Sequence, residues 1–241
     1  MRTTSRRSAG VDAYVVGFGR PDLLFEQKRL IDKFCPEIRG MCVIDNTPGG
    51  GSDRMQQMCL TLNVGYMKTP GGSTLHNDAL NHAARVAKEN KNRYWITLDH
   101  DVFPRQNVTL IDKIKKAGFY GIGQSHPPTQ KQYLWPGFCA FDQKWLGDRM
   151  PNFDGIRGDR PRDDGDCGSM LWSLFTEQDW AKMYRPEHGY GIIRPEDGYG
   201  LQSHGYEFFD GWVHFTNASH WMDVPKPLDR DKLLRDMIKQ L

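Results

Sequence analysis

The run Tyr94-Trp95-Ile96-Thr97-Leu98-Asp99-His100-Asp101-Val102-Phe103-Pro104 constrains this chain more than any other: an apolar stretch of β-forming residues ends in two carboxylates separated by one residue. In α/β proteins ligands collect beyond the carboxyl ends of the strands, so acids at that point stand where chemistry is usually done. Two carboxylates about 4 Å apart repel by roughly 1 kcal/mol in water and about 4 kcal/mol at an effective dielectric of 20, so a partly buried pair needs a cation or proton between them. A hard divalent ion held by one or two carboxylates and by substrate phosphates meets that need. The plainer alternative is a polar strand end at which Asp101 and Pro104 shape a turn.

The chain before this run alternates strand and helix. Ala13 to Gly17 is a short apolar strand, followed by Phe18-Gly19-Arg20-Pro21-Asp22 and a helical pattern through Leu24, Phe25, Leu30, Ile31 and Phe34. Pro21 and Asp22 suit a first helical turn, where a missing N–H is harmless and a carboxylate favours the dipole. A second strand, Met41 to Asp45, stops at the glycine-rich loop Asn46 to Ser52, before a helix from Asp53 to Leu62. Val64 to Met67 reads as a third strand, and Thr69-Pro70-Gly71-Gly72-Ser73 introduces a helix from Thr74 to Glu89. Its expected buried stripe is Leu75, Ala79, Ala83, Val86 and Ala87, with Asn77 and Asn81 one turn apart on another face. A helix from Val108 to Ala117 and a strand from Phe119 to Gly123 complete the alternation, which predicts an α/β fold with a mainly parallel sheet flanked by helices.

The second half is less regular. Ser125 to Pro136 and Met150 to Gly165 read as long loops, with a strand at Phe138 to Phe141 between them. Asp163-Asp164-Gly165-Asp166 precedes a helical run from Ser169 to Phe175, where the acids also suit plain capping. A short helix, Glu177 to Tyr184, leads into a Gly/His/Pro-rich excursion through Gly205, then a strand at Gly211 to Phe215. Leu228, Leu233, Leu234, Met237 and Ile238 give a terminal helix over 226–241 one apolar face.

At 241 residues the chain suits a single α/β domain over 11–241 behind a disordered tail over 1–10. A net charge of +2 is too balanced to argue for nucleic acid by electrostatics alone. No apolar run approaches a membrane span, and no hydrophobic segment follows the arginines between Met1 and Arg7, so a soluble, cytoplasmic protein is expected. The five cysteines form no Cys-X-X-Cys pair and read as reduced thiols.

In order, these features resemble the family-2 glycosyltransferases of the GT-A fold, which transfer a sugar from a nucleoside-diphosphate donor. Gly19-Arg20-Pro21-Asp22-Leu23-Leu24 is similar to that family's Asn-Arg-Pro-Asp-Leu-Leu, with Gly19 in place of the asparagine. Val43-Ile44-Asp45-Asn46 and its small-residue loop resemble the Val-Asp-Asn-Gly-Ser segment, and Gly71, Gly72 and Asn77 resemble the glycine turn and helix asparagine before the Asp-X-Asp strand. The arginine often found there is absent. Asp163-Asp164-Gly165-Asp166 resembles the acidic motif that carries the catalytic base of inverting members. His214-Phe215 with Ser219-His220-Trp221 is similar to the His-Phe to Lys-Pro-Trp segment of glycogenin-type enzymes, with His220 in the place of the lysine.

The resemblance implies a nucleotide-sugar half over 11–104 and an acceptor half over 105–222. It implies Mn2+ or Mg2+ on Asp99, Asp101 and His214, and donor contacts from Asp45, Gly72, Asn77, Asp99, Ser219 and His220. Asp45 at the base favours a UDP-sugar, with a hexose expected. Asp164, with Asp163 as second choice, is the expected base for transfer with inversion, whereas the glycogenin-like tail favours retention. Trp135 and Trp172 are candidate sugar platforms. The acceptor stays open among glycan, protein and modified nucleic-acid base. Two other readings of the same residues stand beside this one: a metal-dependent phosphohydrolase or nucleotidyltransferase, and a sugar-binding module without turnover.

Overall fold

The computed structural model describes residues 10–49, 51–158, 164–192, 205–216, 218 and 230–241. Strands β1 (Val11–Gly17), β2 (Ile38–Asp45), β3 (Gly65–Lys68) and β4 (Tyr94–Asp99) lie parallel, joined through helices α1 (Pro21–Phe34), α2 (Gly51–Leu62) and α3 (His76–Asn90). Strand β5 (Val102–Pro104) and helix α4 (Ile111–Ala117) follow, then β6 (Phe119–His126) and β7 (Lys131–Asp142), an antiparallel hairpin that completes a six-stranded sheet in the order β3-β2-β1-β4-β7-β6. The expected α/β architecture is therefore present. The expected loop from Ser125 to Pro136 is instead largely this hairpin, whose strand β6 forms the edge of the sheet.

The side-chain alternation of the strands divides the core. Val11, Ala13 and Val15 pack with Leu24, Ile31, Met55 and Cys59 of α1 and α2, whereas Tyr14, Val16 and Trp95 pack with Ala79, Ala83, Val86 and Ala87 of α3. Leu75 does not join that stripe: α3 starts one residue later, and Leu75 is 60% exposed.

A smaller antiparallel sheet, in the order β5-β10-β9-β8, is built from β5, β8 (His188–Ile192), β9 (Gly205–Phe209) and β10 (Trp212–Phe215). The run from Tyr94 to Pro104 thus serves two sheets, turning from one into the other at His100-Asp101. Strand β8 lies in the stretch expected to be an irregular excursion, and β9 starts at the last residue of that stretch, Gly205. Asp210-Gly211, with φ of 50° and 91°, makes the tight β9–β10 turn, a conformation that Asp and Gly accept readily. Helices α5 (Gln143–Leu146) and α6 (Glu177–Lys182) are short, and Ser169–Leu174 is a 3-10 rather than an α-helix. Gly168 enters it at φ 83°, and its i→i+3 bonds begin with Ser169 N–H to Asp166 O. Helix α7 (Arg230–Lys239) sets Leu234 and Ile238 against Leu23, Leu30, Phe103 and Phe215; 226–229 lie outside the described residues. No described helix is long and apolar enough to cross a membrane.

Candidate active site

A cavity of about 580 Å³ opens at the carboxyl ends of β1, β2 and β4 and is lined by Val16, Asn46, Asp99, His100 and Asp101 among others. Period two explains the direction of Asp99. It shares the face of Trp95, so it points toward α3, whose first residue, His76, places Nε2 2.8 Å from Asp99 Oδ1. The turn after Asp99 is held from the other side by Gln27, a polar residue in the buried stripe of α1. Its Nε2 donates to the carbonyls of Asp99 and Val102, each at 2.8 Å.

Antiparallel pairing brings the second sheet to the same place. His214 is opposite Val102 on one side and opposite Glu207 on the other, and Phe215 N–H donates to Asp101 O at 3.1 Å. His214 Nε2 stands 3.6 Å from Asp101 Oδ1, and its Nδ1 stands 3.6 Å from Glu207 Oε2. Trp135 lies over the imidazole with ring centroids 4.5 Å apart. Asp101, His214, Glu207, His76, Trp135 and Asp166 all line the cavity.

Charge is concentrated here. Burial works against ionisation of Asp99, but the His76 charge and hydrogen bond, with His214 and His100 behind, hold its carboxyl below the usual range. Burial likewise works against protonation of His76, and Asp99 outweighs it, raising the imidazole well above its ordinary value. His214 is pushed down by burial and raised on balance by Asp101 and Glu207. Glu207 is pushed up by burial and lowered on balance by His214 and His188.

The sequence-derived candidates divide into two groups. Asp99, Asp101, His214 and Trp135 meet in the cavity. Asp45 does not reach it: fully buried, it accepts from Thr47 N–H at 2.9 Å and Tyr66 O–H at 3.0 Å, while its neighbour Asn46 lines the wall. Asn77 and Asn81 both donate to Asp154 Oδ1 at 2.9 Å, fastening the loop after Met150 onto α3. Gly72 is exposed at φ 71° and lies outside the cavity lining. Asp164 accepts from Gly158 N–H at 2.8 Å and pairs with Arg157 at 3.3 Å, whereas Asp166 of the same motif lines the cavity. Trp172 is covered by Lys131. Asp163, Ser219 and His220 lie outside the described residues.

Sequence reasoning missed His76, His100, Gln27 and Glu207. Gln27 had a signal, being a polar residue at helical spacing from Leu23, Leu24, Leu30 and Ile31. The partner of Glu207 depends on strand register, which its flanking residues do not reveal.

Among the described residues no three His, Cys, Asp or Glu side chains are already gathered as a metal cage. Asp101 and His214 nonetheless suit two ligands of one divalent ion. Their facing atoms are too far apart for a hydrogen bond, both are buried, and such ions commonly draw their remaining ligands from substrate phosphates and water.

No protein-family model and no curated protein matches the chain. Among solved structures it is similar to a mannosyltransferase from Pyrobaculum calidifontis in complex with GDP-Man and Mn2+, at 16% identity over 56% of this chain and 45% of that one, TM-score 0.41. It is also similar to glucosyl-3-phosphoglycerate synthase from Mycobacterium tuberculosis in complex with Mn2+, UDP and glucosyl-3-phosphoglycerate, at 10% identity over 58% of each chain, TM-score 0.40. A third is TarS from S. aureus, at 15% identity over 60% of this chain and 30% of that one, TM-score 0.38. The matched part spans less than two thirds of each of these three chains.

Proposed function

We propose that the protein is a GT-A-type glycosyltransferase that moves a sugar, a hexose carried on UDP, to an acceptor hydroxyl with inversion. The observation that carries this reading is one cavity at the strand ends in which Asp99, Asp101, His214 and Asp166 come together from three separate stretches of chain. Asp101 and His214 are the ligands for Mn2+ or Mg2+, with Asp99 beside them. A bound divalent ion supplies Lewis-acid stabilisation of charge on the leaving diphosphate. Asp99, held by His76 and the Gln27-braced turn, is set to receive ribose or a metal-bound water. Residues 11–104 then form the donor side and 105–222 the acceptor side.

The base expected at Asp164 is better assigned to Asp166, because Asp166 lines the cavity and Asp164 is engaged with Gly158 and Arg157. Asp166 would take the acceptor proton as the acceptor oxygen bonds to the anomeric carbon and the bond from that carbon to the diphosphate oxygen breaks. A carboxylate in this role contributes typically about 10²- to 10⁴-fold. The uracil preference rests on the resemblance at Asp45-Asn46, of which Asn46 is the residue at the cavity.

The test is a panel of nucleotide sugars with Mn2+ and candidate acceptors, read as free nucleoside diphosphate. Metal-dependent, acceptor-dependent UDP release that disappears in Asp101→Ala is the expected outcome. Full turnover in excess EDTA, or release of a nucleoside monophosphate without acceptor, would rule the reading out.

A further inference from the structure

Glu207 and His214 are directly opposed on β9 and β10, so their side chains leave the same face of the sheet. His214 has a carboxylate before each ring nitrogen: Glu207 Oε2 is 3.6 Å from Nδ1, and Asp101 Oδ1 is 3.6 Å from Nε2. Nδ1 is buried with no partner at hydrogen-bond distance among the described residues. One face of the ring is covered by Trp135. On its far side Glu207 also faces His188, at 3.7 Å. A neutral imidazole carries a single N–H, so it can donate to one of these carboxylates only, leaving the other nitrogen as a bare lone pair. Histidines that bind metals commonly give their second N–H to a carboxylate, which sets tautomer and ring orientation.

We propose that Glu207 is the positioning residue of His214: it accepts the Nδ1 proton, leaves Nε2 bare toward Asp101, and so presets the imidazole for a divalent cation shared with Asp101. This rests on the metal reading of Asp101 and His214 given above. A movement of about 0.8 Å closes the Glu207 contact to an ordinary N–H···O length. The neighbouring turn leaves little slack in β10, because Asp210-Gly211 joins it to β9 with no spare residue.

The test is a double-mutant cycle on the Mn2+ dissociation constant, measured from the EPR signal of free Mn2+ with and without UDP, so that no turnover is involved. Glu207→Ala is expected to weaken Mn2+ binding about 10- to 100-fold, the range found for outer-shell partners of metal-bound histidines. Glu207→Gln, whose amide oxygen accepts the same proton, is expected to stay within about threefold of wild type. In a His214→Ala background, Glu207→Ala should add nothing further. Circular dichroism establishes that each variant is folded, and Glu207→Gln serves as the conservative control. A Glu207→Ala protein that binds Mn2+ like wild type, while His214→Ala is weakened, overturns the role of Glu207 alone. Equal losses from Glu207→Ala with and without His214, or a Glu207→Gln protein as weak as Glu207→Ala, would mean that Glu207 attracts the cation by its charge instead. Unchanged binding in His214→Ala, or no binding by the wild-type protein, defeats the metal reading itself.

Discussion

Gly137 passes so close to Asp99 that a β-carbon on it would overlap the carboxylate oxygen Oδ2 as well as the ring of Trp135. The site therefore needs bare backbone on β7 at the point where Thr97 on β4 also donates its hydroxyl proton to Pro136 O at 2.8 Å. Gly137→Ala should displace Asp99 or Trp135, at a stability cost of about 1–3 kcal/mol for overpacking. Donor and Mn2+ affinity should fall at least about tenfold, beyond what the loss in melting temperature explains. Calorimetric titration of the folded variant with UDP and Mn2+ checks this, and wild-type affinity would count against it.

Asp164 and Asp166 are separable by substitution. Asp166→Asn should retain UDP and Mn2+ binding while losing about 10²-fold or more of transfer, because the amide keeps size and polarity but takes no proton. Asp164→Asn should stay within about tenfold of wild type, since the amide oxygen still accepts from Gly158 N–H. The reverse ranking in steady-state rates would return the base to Asp164. Proton NMR of the first-formed product reads the anomeric outcome, and a retained anomer would remove the base role from both.

Gln27 braces the turn between the two site carboxylates without lining the cavity. Gln27→Leu leaves two carbonyls without their donor and should cost about 1–3 kcal/mol for each that stays buried and unpaired. Because those carbonyls belong to Asp99 and Val102, Mn2+ affinity should drop with stability. Urea unfolding together with Mn2+ titration measures both, and a loss of stability with unchanged Mn2+ binding would make Gln27 a purely structural brace.

Asp210 gives a pH-dependent contribution to folding. Burial alone would raise its carboxyl, but Lys113, Tyr120 and Tyr184 hold it below the usual range. A depressed folded pKa stabilises at pH above the unfolded value, near 3.9, and that stabilisation is lost as pH falls through the folded value. Asp210→Asn keeps a residue tolerant of the left-handed turn, so it tests the charge alone. It should lower stability by about 1–2 kcal/mol at pH 7 and by progressively less below about pH 4. Urea midpoints at both pH values decide it, and a deficit independent of pH would mean that the turn, not the ion pair, was damaged.

The sequence alone determined the strand-helix rhythm through β4, because period two and period 3.6 are local patterns and Pro21, Asp22 and the glycine loops mark where they change. It also determined that Asp99 and Asp101 stand at a strand end, since an apolar run followed by acids needs no distant partner to be read. The late strand β10 was legible at Gly211 to Phe215, whereas neither β9 nor the Asp210-Gly211 turn that joins the two was read from the sequence. Only tertiary structure decided that Asp99 and Val102 belong to different sheets, that Glu207 faces His214, and that Asp45 turns inward to Tyr66 while Asn46 meets the cavity. Each of those depends on register between strands, or on which face of a strand its neighbours cover. Residues far apart in the chain set both, through burial and backbone pairing, and a local pattern carries no record of them.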